Sequence, residues 1–214
     1  MNIYIAPQDG YILEQKKVFL IDVYGTIVAA QDNSRITNDY SLRLRDGVTQ
    51  FLSYWEKRGK ILAIQSDTAG LTFFEEFRLG DFANYHFLGE PPLIFKDEYG
   101  KTIVYEPFET SLSDRLTKDI VNPDGSTGTT YCCVKNFPSM VDEIAEKERI
   151  KFKLADAIVL GDAKYASNGH IPGENDELRG DTLSAVLTGV DILGIPPPGY
   201  PSEPDGFSFR SLIR

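Results

Sequence analysis

Short apolar runs recur along the chain, each closed by a polar or glycine-containing turn, and between them apolar residues return at helical spacing. Residues 18–21 (V-F-L-I), 61–64 (I-L-A-I), 131–134 (Y-C-C-V) and 157–160 (A-I-V-L) read as buried strands. Val48, Phe51, Leu52 and Trp55 fall at i, i+3, i+4 and i+7, which predicts an amphipathic helix ended by Arg58-Gly59. The polar stretch 31–45 precedes it, and a helix through 73–77 and a short strand near 85–88 are expected after the second apolar run. Beyond the Pro91-Pro92 break, residues 93–95 and 102–105 flank D-E-Y-G at 97–100 and predict a hairpin. Residues 111–121 predict a short helix, and N-P-D-G-S-T-G-T at 122–129 a loop. Ser139, with Glu143 after it, predicts the cap of a helix over 140–149. A long polar loop covers 163–180. Leu183, Val186, Leu187 and Val190 then give a last helix, followed by the apolar run 192–195.

Strands alternating with helices define an α/β class, with a Rossmann-like, largely parallel sheet and helices on both faces. The organisation read from the chain is a single core over residues 1–195, with a small hairpin insertion at about 91–110 and a loop insertion at 163–180. Residues 196–214 form a Pro-rich tail in which Phe207, Phe209 and Leu212 are candidates for pinning it to the body.

The 214 residues suffice for a full core, and 42% hydrophobic with 25% charged residues is ordinary for a globular chain. A formal charge of −10 disfavours extensive nucleic-acid or anionic-lipid binding while leaving room for a local basic pocket. The two cysteines, Cys132 and Cys133, are adjacent and offer no disulfide framework or CxxC spacing; they read as small strand residues in a reducing cytoplasm. Pro7, Gln8 and Asp9 interrupt any early secretion signal, and no apolar run spans a bilayer. A cytoplasmic location and no membrane partner are expected; oligomeric state is left open.

Four strand ends carry chemistry: Asp22, Ser66, Lys135 and Asp162. In open α/β sheets, ligands bind beyond the carboxyl ends of the strands. Taken singly, Asp22 and Asp162 fit turns, Ser66 fits a helix cap and Lys135 a solvated lysine. Their ordered recurrence favours one shared crevice.

The chain here resembles the haloacid dehalogenase-like (HAD) superfamily. V-F-L-I-D-V-Y-G-T at 18–26 is similar to its first motif, a hydrophobic strand followed by D-x-x-G-T. I-L-A-I-Q-S-D at 61–67 resembles the second, Lys135 the third, and A-I-V-L-G-D at 157–162 the fourth. The resemblance implies a Mg²⁺-dependent phosphatase or phosphotransferase in which the Asp22 carboxylate attacks phosphorus. It places the metal on Asp22, the backbone carbonyl of Tyr24 and Asp162, suiting the preference of Mg²⁺ for oxygen. It places phosphate oxygens on Ser66 and the amides after it, Asp67 among them, and gives Lys135 the neutralisation of charge. The implied substrate is phosphorylated, either a small molecule or an exposed group on a macromolecule.

Three departures shape that expectation. Tyr24 stands where the phosphatase form of the motif has a second aspartate that protonates the leaving group. A phenol with a pKa of about 10 is a weak substitute, so good leaving groups, or reduced activity, are implied. D-x-Y-G-T is also the form found in 2-haloacid dehalogenases, which makes metal-free carbon–halogen cleavage an alternative and a non-catalytic binding protein a third. Against dehalogenation, Asp22 and Ser66 are 44 residues apart (66 − 22), too little for the helical cap of those enzymes, and Gly161-Asp162 is kept. The next acid of the fourth motif is displaced: Asp181 follows Asp162 by 19 residues (181 − 162) and either supports the metal through water or caps the last helix, with Glu174 and Asp176 as alternatives. His170 reads as a solvated loop residue. The only cap candidate, residues 91–110, implies an open site that excludes water poorly.

Overall fold

The computed structural model describes residues 1–23, 25–30, 42–66, 77–88, 93–96, 102–105, 113–121, 127–162, 180–196, 198 and 206–213. Tyr24, Asp67, most of the helix expected at 73–77, and the loop holding His170, Glu174 and Asp176 lie outside the described residues.

A six-stranded sheet forms the centre. It is built from β1 (Ile3–Ile5), β2 (Val18–Asp22), β5 (Ile61–Ser66), β6 (Tyr85–Leu88), β11 (Ala157–Gly161) and β12 (Asp191–Gly194). The strand order is β1-β12-β11-β2-β5-β6, and every neighbouring pair is parallel. The continuous apolar runs are explained by burial on both faces. Phe19, Ile21, Leu62, Ile64, Ile158, Leu160 and Leu193 face one core with α1 (Val48–Lys57). The alternate residues Val18, Leu20, Ala63, Ala157, Val159 and Ile192 face a second core with α2 (Phe137–Glu148) and α3 (Gly180–Thr188). The chain is therefore α/β with helices on both faces of a parallel sheet. Chain order runs outward from β2 through β5 to β6 on one side and returns through β11 on the other. The crevice between β2 and β11 is thus the switch point where such sheets bind ligands.

The expected α1 stripe is buried as read: Phe51 and Trp55 pack on Phe19, with ring centroids 6.5 and 5.5 Å away. Gly59, at φ +73°, follows its last turn.

Several expectations are corrected. Residues 111–121 do not form a helix: β9 (Ser113–Val121) is a strand, antiparallel to β10 (Thr127–Lys135), which also absorbs the end of the expected loop. Leu116 and Ile120 sit four apart, a helical spacing, but the backbone hydrogen bonds of β10 decide the outcome. β10 consequently stands outside the central sheet, so Lys135 does not end one of its strands. Within the polar stretch, Leu42–Leu44 forms β4, antiparallel to β3 (Val28–Ala30). The hairpin of β7 (Leu93–Lys96) and β8 (Thr102–Tyr105) forms as expected. α2 begins earlier than Ser139, because Asn136 is the cap: its Oδ1 accepts from the Ser139 amide at 3.2 Å, with Pro138 in the first turn.

The chain ends are packed. Phe207, Phe209 and Leu212 are buried against the α1 core. β1 is fastened through Asp191, whose Oδ1 accepts from the Asn2 amide at 2.6 Å and whose Oδ2 accepts from Lys16 Nζ at 2.6 Å. Burial pushes the Asp191 carboxyl upward, but the Lys16 and Asn2 bonds and the nearby positive charges outweigh it and hold the group below its ordinary range. A depressed folded pKa stabilises fully above the unfolded value and is lost as pH falls through the folded one. Asp191→Asn is expected to cost on the order of 3 kcal/mol at neutral pH by leaving buried Lys16 without its anion. The deficit relative to wild type should shrink below about pH 4 in urea melts taken across pH.

Candidate active site

Asp22 is the last residue of β2 and is level with Gln65 of β5. By strand alternation it lies on the α2/α3 side of the sheet, continuing Val18 and Leu20. Its carboxylate is buried and held at both oxygens: Lys135 Nζ lies 2.9 Å from Oδ1, and Thr26 Oγ1 donates to Oδ2 at 3.1 Å. That pair of contacts fixes the carboxylate plane.

Lys135 arrives from the β9/β10 hairpin yet reaches the carboxyl end of β2, because its amide donates to Ser184 Oγ at 2.9 Å and so ties the end of β10 to α3. Its ammonium bridges two acids, lying 2.7 Å from Asp181 Oδ1 as well as 2.9 Å from Asp22.

Asp181 sits in the first turn of α3, where a negative charge suits the helix dipole. Its carboxylate lies inside the cluster. Gln65 Nε2 stands 3.4 Å from its Oδ1, a second donor beside Lys135. Gly161 explains the close approach of α3 to β11: a Cβ there would fall 2.5 Å from Asp181 Oδ2 and 2.7 Å from its Cβ. Gly25 does the same for Asp162: it holds φ +75°, and a Cβ on it would meet Asp162 Oδ2 at 2.9 Å. The glycines of D-x-x-G-T and Gly-Asp are thus the spaces into which the two acids fit.

Asp22, Asp162 and Asp181 each offer a carboxylate oxygen, and these oxygens lie within 4.8 Å of one another. Counted as ionised, three carboxylates against the one ammonium of Lys135 leave a formal charge of −2 in a largely buried place. Hard oxygen donors with a surplus of two negative charges fit a divalent cation such as Mg²⁺. Gly161→Ala should displace Asp181, cost about 1–3 kcal/mol by overpacking, and weaken divalent-cation affinity at least tenfold. Thermal melts combined with a Mg²⁺ titration would check it; unchanged affinity would mean that Asp181 is not needed near the ion.

Among the residues singled out in the sequence, the structure brings together Asp22, Lys135, Asp162 and Asp181. Ser66 is buried at the end of β5, paired with Leu88 of β6. Tyr24 and Asp67 lie outside the described residues. Sequence reasoning passed over Gln65, Thr26 and Ser184. Thr26 was visible as the last letter of D-x-x-G-T, and Ser184 falls one helical turn after Asp181. Gln65 was signalled only as the first polar residue after the apolar run 61–64.

No protein-family model matches the chain, and no curated protein matches it in sequence. Among solved structures, the 3-deoxy-D-manno-octulosonate 8-phosphate phosphatase of Moraxella catarrhalis, in complex with magnesium ion, phosphate ion and a KDO molecule, is similar at a TM-score of 0.39 and 13% identity. The match covers 72% of this chain and 61% of that one, so the chain spans about three fifths of that protein's length. At that similarity the chemistry has to be read from this chain's own residues.

Proposed function

We propose that the chain is a HAD-like, Mg²⁺-dependent phosphohydrolase acting in the cytoplasm, with Asp22 as covalent nucleophile. The observation that carries this reading is the Lys135 ammonium bridging Asp22 and Asp181, with the Asp162 carboxylate beside them, at the switch point of the sheet.

An Asp22 oxygen attacks phosphorus while the bond from phosphorus to the leaving oxygen breaks, and the leaving group departs with its electron pair. Water then attacks the phosphorus of the aspartyl-phosphate, the bond from phosphorus to the Asp22 oxygen breaks, and inorganic phosphate leaves with the water's proton passed to it or to solvent, restoring the carboxylate. Asp22, Asp162 and Asp181 would hold the metal, with the Tyr24 carbonyl a further ligand by resemblance. Bound there, Mg²⁺ supplies neutralisation of phosphoryl charge. Lys135 screens the nucleophile from its acidic neighbours and stabilises the charge gathering on the phosphoryl oxygens. Thr26 and Lys135 hold the carboxylate in one plane, reducing the ordering needed for attack. Ser66 and Asp67 take the phosphate-binding role by resemblance.

Tyr24 sets the substrate preference. Without a carboxylic acid to protonate an alkoxide, acyl and aryl phosphates are turned over faster than alkyl phosphates. The substrate is a phosphorylated small molecule or an exposed phosphoryl group on a macromolecule. A panel of acyl, aryl and alkyl phosphates with and without Mg²⁺, alongside melts with Mg²⁺ and beryllofluoride, tests this. The expected result is Mg²⁺-dependent phosphate release in that order of leaving groups, and a melting shift under both additives. Metal-independent halide release from 2-haloacids, without phosphate release, would replace this reading with the dehalogenase one. No turnover and no melting shift would leave a non-catalytic protein on the same fold.

A further inference from the structure

Arg45, at the end of the stretch before α1, is buried to 2% exposure. A guanidinium is taken out of water only where its donors are used. Here Nη1 donates to the carbonyl of Gly25 at 2.9 Å and to that of Thr26 at 3.0 Å, and the Arg45 amide donates to the carbonyl of Ile27 at 3.0 Å. Three successive carbonyls of one turn therefore converge on one residue. That turn abuts the candidate metal site. Thr26 holds Asp22 Oδ2 through its hydroxyl, and the Gly25 backbone lies against the Asp162 carboxylate.

The other side of the guanidinium belongs to the C-terminal segment. Its carbon lies 5.4 Å from the Phe207 ring centroid and 5.9 Å from that of Phe209, within cation–π range. The segment is locked beside Arg45 in turn. The Phe209 amide donates to the Asp46 carbonyl at 2.9 Å, Ser208 Oγ donates to the Asp46 carboxylate, and Arg210 Nη2 lies 3.5 Å from that carboxylate. Gly47, at φ +77°, leaves room for the Arg210 backbone, whose nitrogen a Cβ would meet at 2.6 Å.

We propose that Arg45 is a positioning residue through which the C-terminal segment 206–213 holds the Gly25–Thr26 turn in register with Asp22 and Asp162. Its effect on metal and nucleophile rests on the phosphohydrolase reading; its effect on the turn does not. Phe207 and Phe209 thus bear on the site from the far end of the chain, through the Arg45 guanidinium. Among the described contacts, Arg45 reaches the site through the Gly25, Thr26 and Ile27 carbonyls.

The test uses the full chain with Arg45→Met, Arg45→Lys and Phe207→Ala, the last keeping the proposal testable where the first fails to fold. Amide hydrogen exchange is read at Ile27 and Val28, whose amides both bond the Val23 carbonyl, against Ile64 in the central sheet. Mg²⁺ affinity is read by calorimetry at a temperature where each variant is folded. Expected are at least tenfold faster exchange at Ile27 and Val28 with Ile64 little changed, and at least tenfold weaker Mg²⁺ binding. Arg45→Lys should recover part of both, and Phe207→Ala should show the same pattern more weakly. Equal acceleration at all three amides, or a protected turn, would overturn the proposal and leave Arg45 a support of the fold at large. Should the wild type itself bind no Mg²⁺, the phosphohydrolase reading fails separately, and the exchange pattern alone upholds or overturns the clamp.

Discussion

Asp22→Asn is expected to leave the fold intact and remove at least about a thousandfold of phosphate release. The amide has the carboxylate's shape, so its oxygen still accepts from Lys135 and its nitrogen faces the Thr26 hydroxyl, which accepts as readily as it donates. Lys135 keeps an anionic partner in Asp181, 2.7 Å away, so no buried cation is orphaned. Melting temperature should therefore shift little. Chemistry fails for a different reason: the amide is a poor nucleophile. Removing one charge also lowers the formal surplus at the cluster from −2 to −1, so Mg²⁺ binds more weakly. The melting shift produced jointly by Mg²⁺ and beryllofluoride should largely disappear. Steady-state assays and paired melts on both proteins decide the matter. Full Mg²⁺-dependent turnover by the variant would remove Asp22 from the mechanism and, with it, the covalent route.

How far this was legible in the sequence depends on whether each feature is local. The strands at 18–22, 61–66 and 157–161 announce themselves, because a strand buried on both faces must be apolar throughout. Asp22 and Asp162, at the ends of the first and third, follow from chain order alone. The polar strand Ser113–Val121 was misread as a helix since nothing within it reveals β10, whose pairing supplies its backbone bonds. β3 and β4, at three residues each, are too short to carry a period. Asp181 stood 19 residues beyond Asp162, and sequence could not choose between a metal-supporting role and a helix cap. The packing of α3 over Gly161 puts its carboxylate in the cluster. Arg45 gave no signal at all, because a buried arginine is made by its surroundings, and those include residues 25–27 and 206–213.

Lys135→Met is expected to separate the electrostatic design of the site from its packing. Methionine fills the lysine's space but leaves Asp22, Asp162 and Asp181, with oxygens within 4.8 Å, without the ammonium between them. Two like charges at that separation repel by about 3–4 kcal/mol at an effective dielectric of roughly 20. Removing one partner of a buried ionic group typically costs about 3–5 kcal/mol. In a chain of this size that lowers the melting temperature by on the order of 10 °C. The exposed Lys147, paired with Glu143 one helical turn away, is the control: Lys147→Met should change stability by less than about 0.5 kcal/mol. Mg²⁺ should stabilise Lys135→Met by more than it stabilises wild type, since the ion takes over neutralisation that the ammonium gave before. On the phosphohydrolase reading, turnover should still fall by about a hundredfold or more, because a metal that restores the ground-state charge balance would not replace the donor that this reading gives the phosphoryl oxygens. Melts of the three proteins across a Mg²⁺ series, with rates at saturating metal, read all of these. If Lys135→Met melts with wild type in the absence of metal, the three carboxylates are not charged together, and the surplus of −2 on which the divalent site depends does not exist.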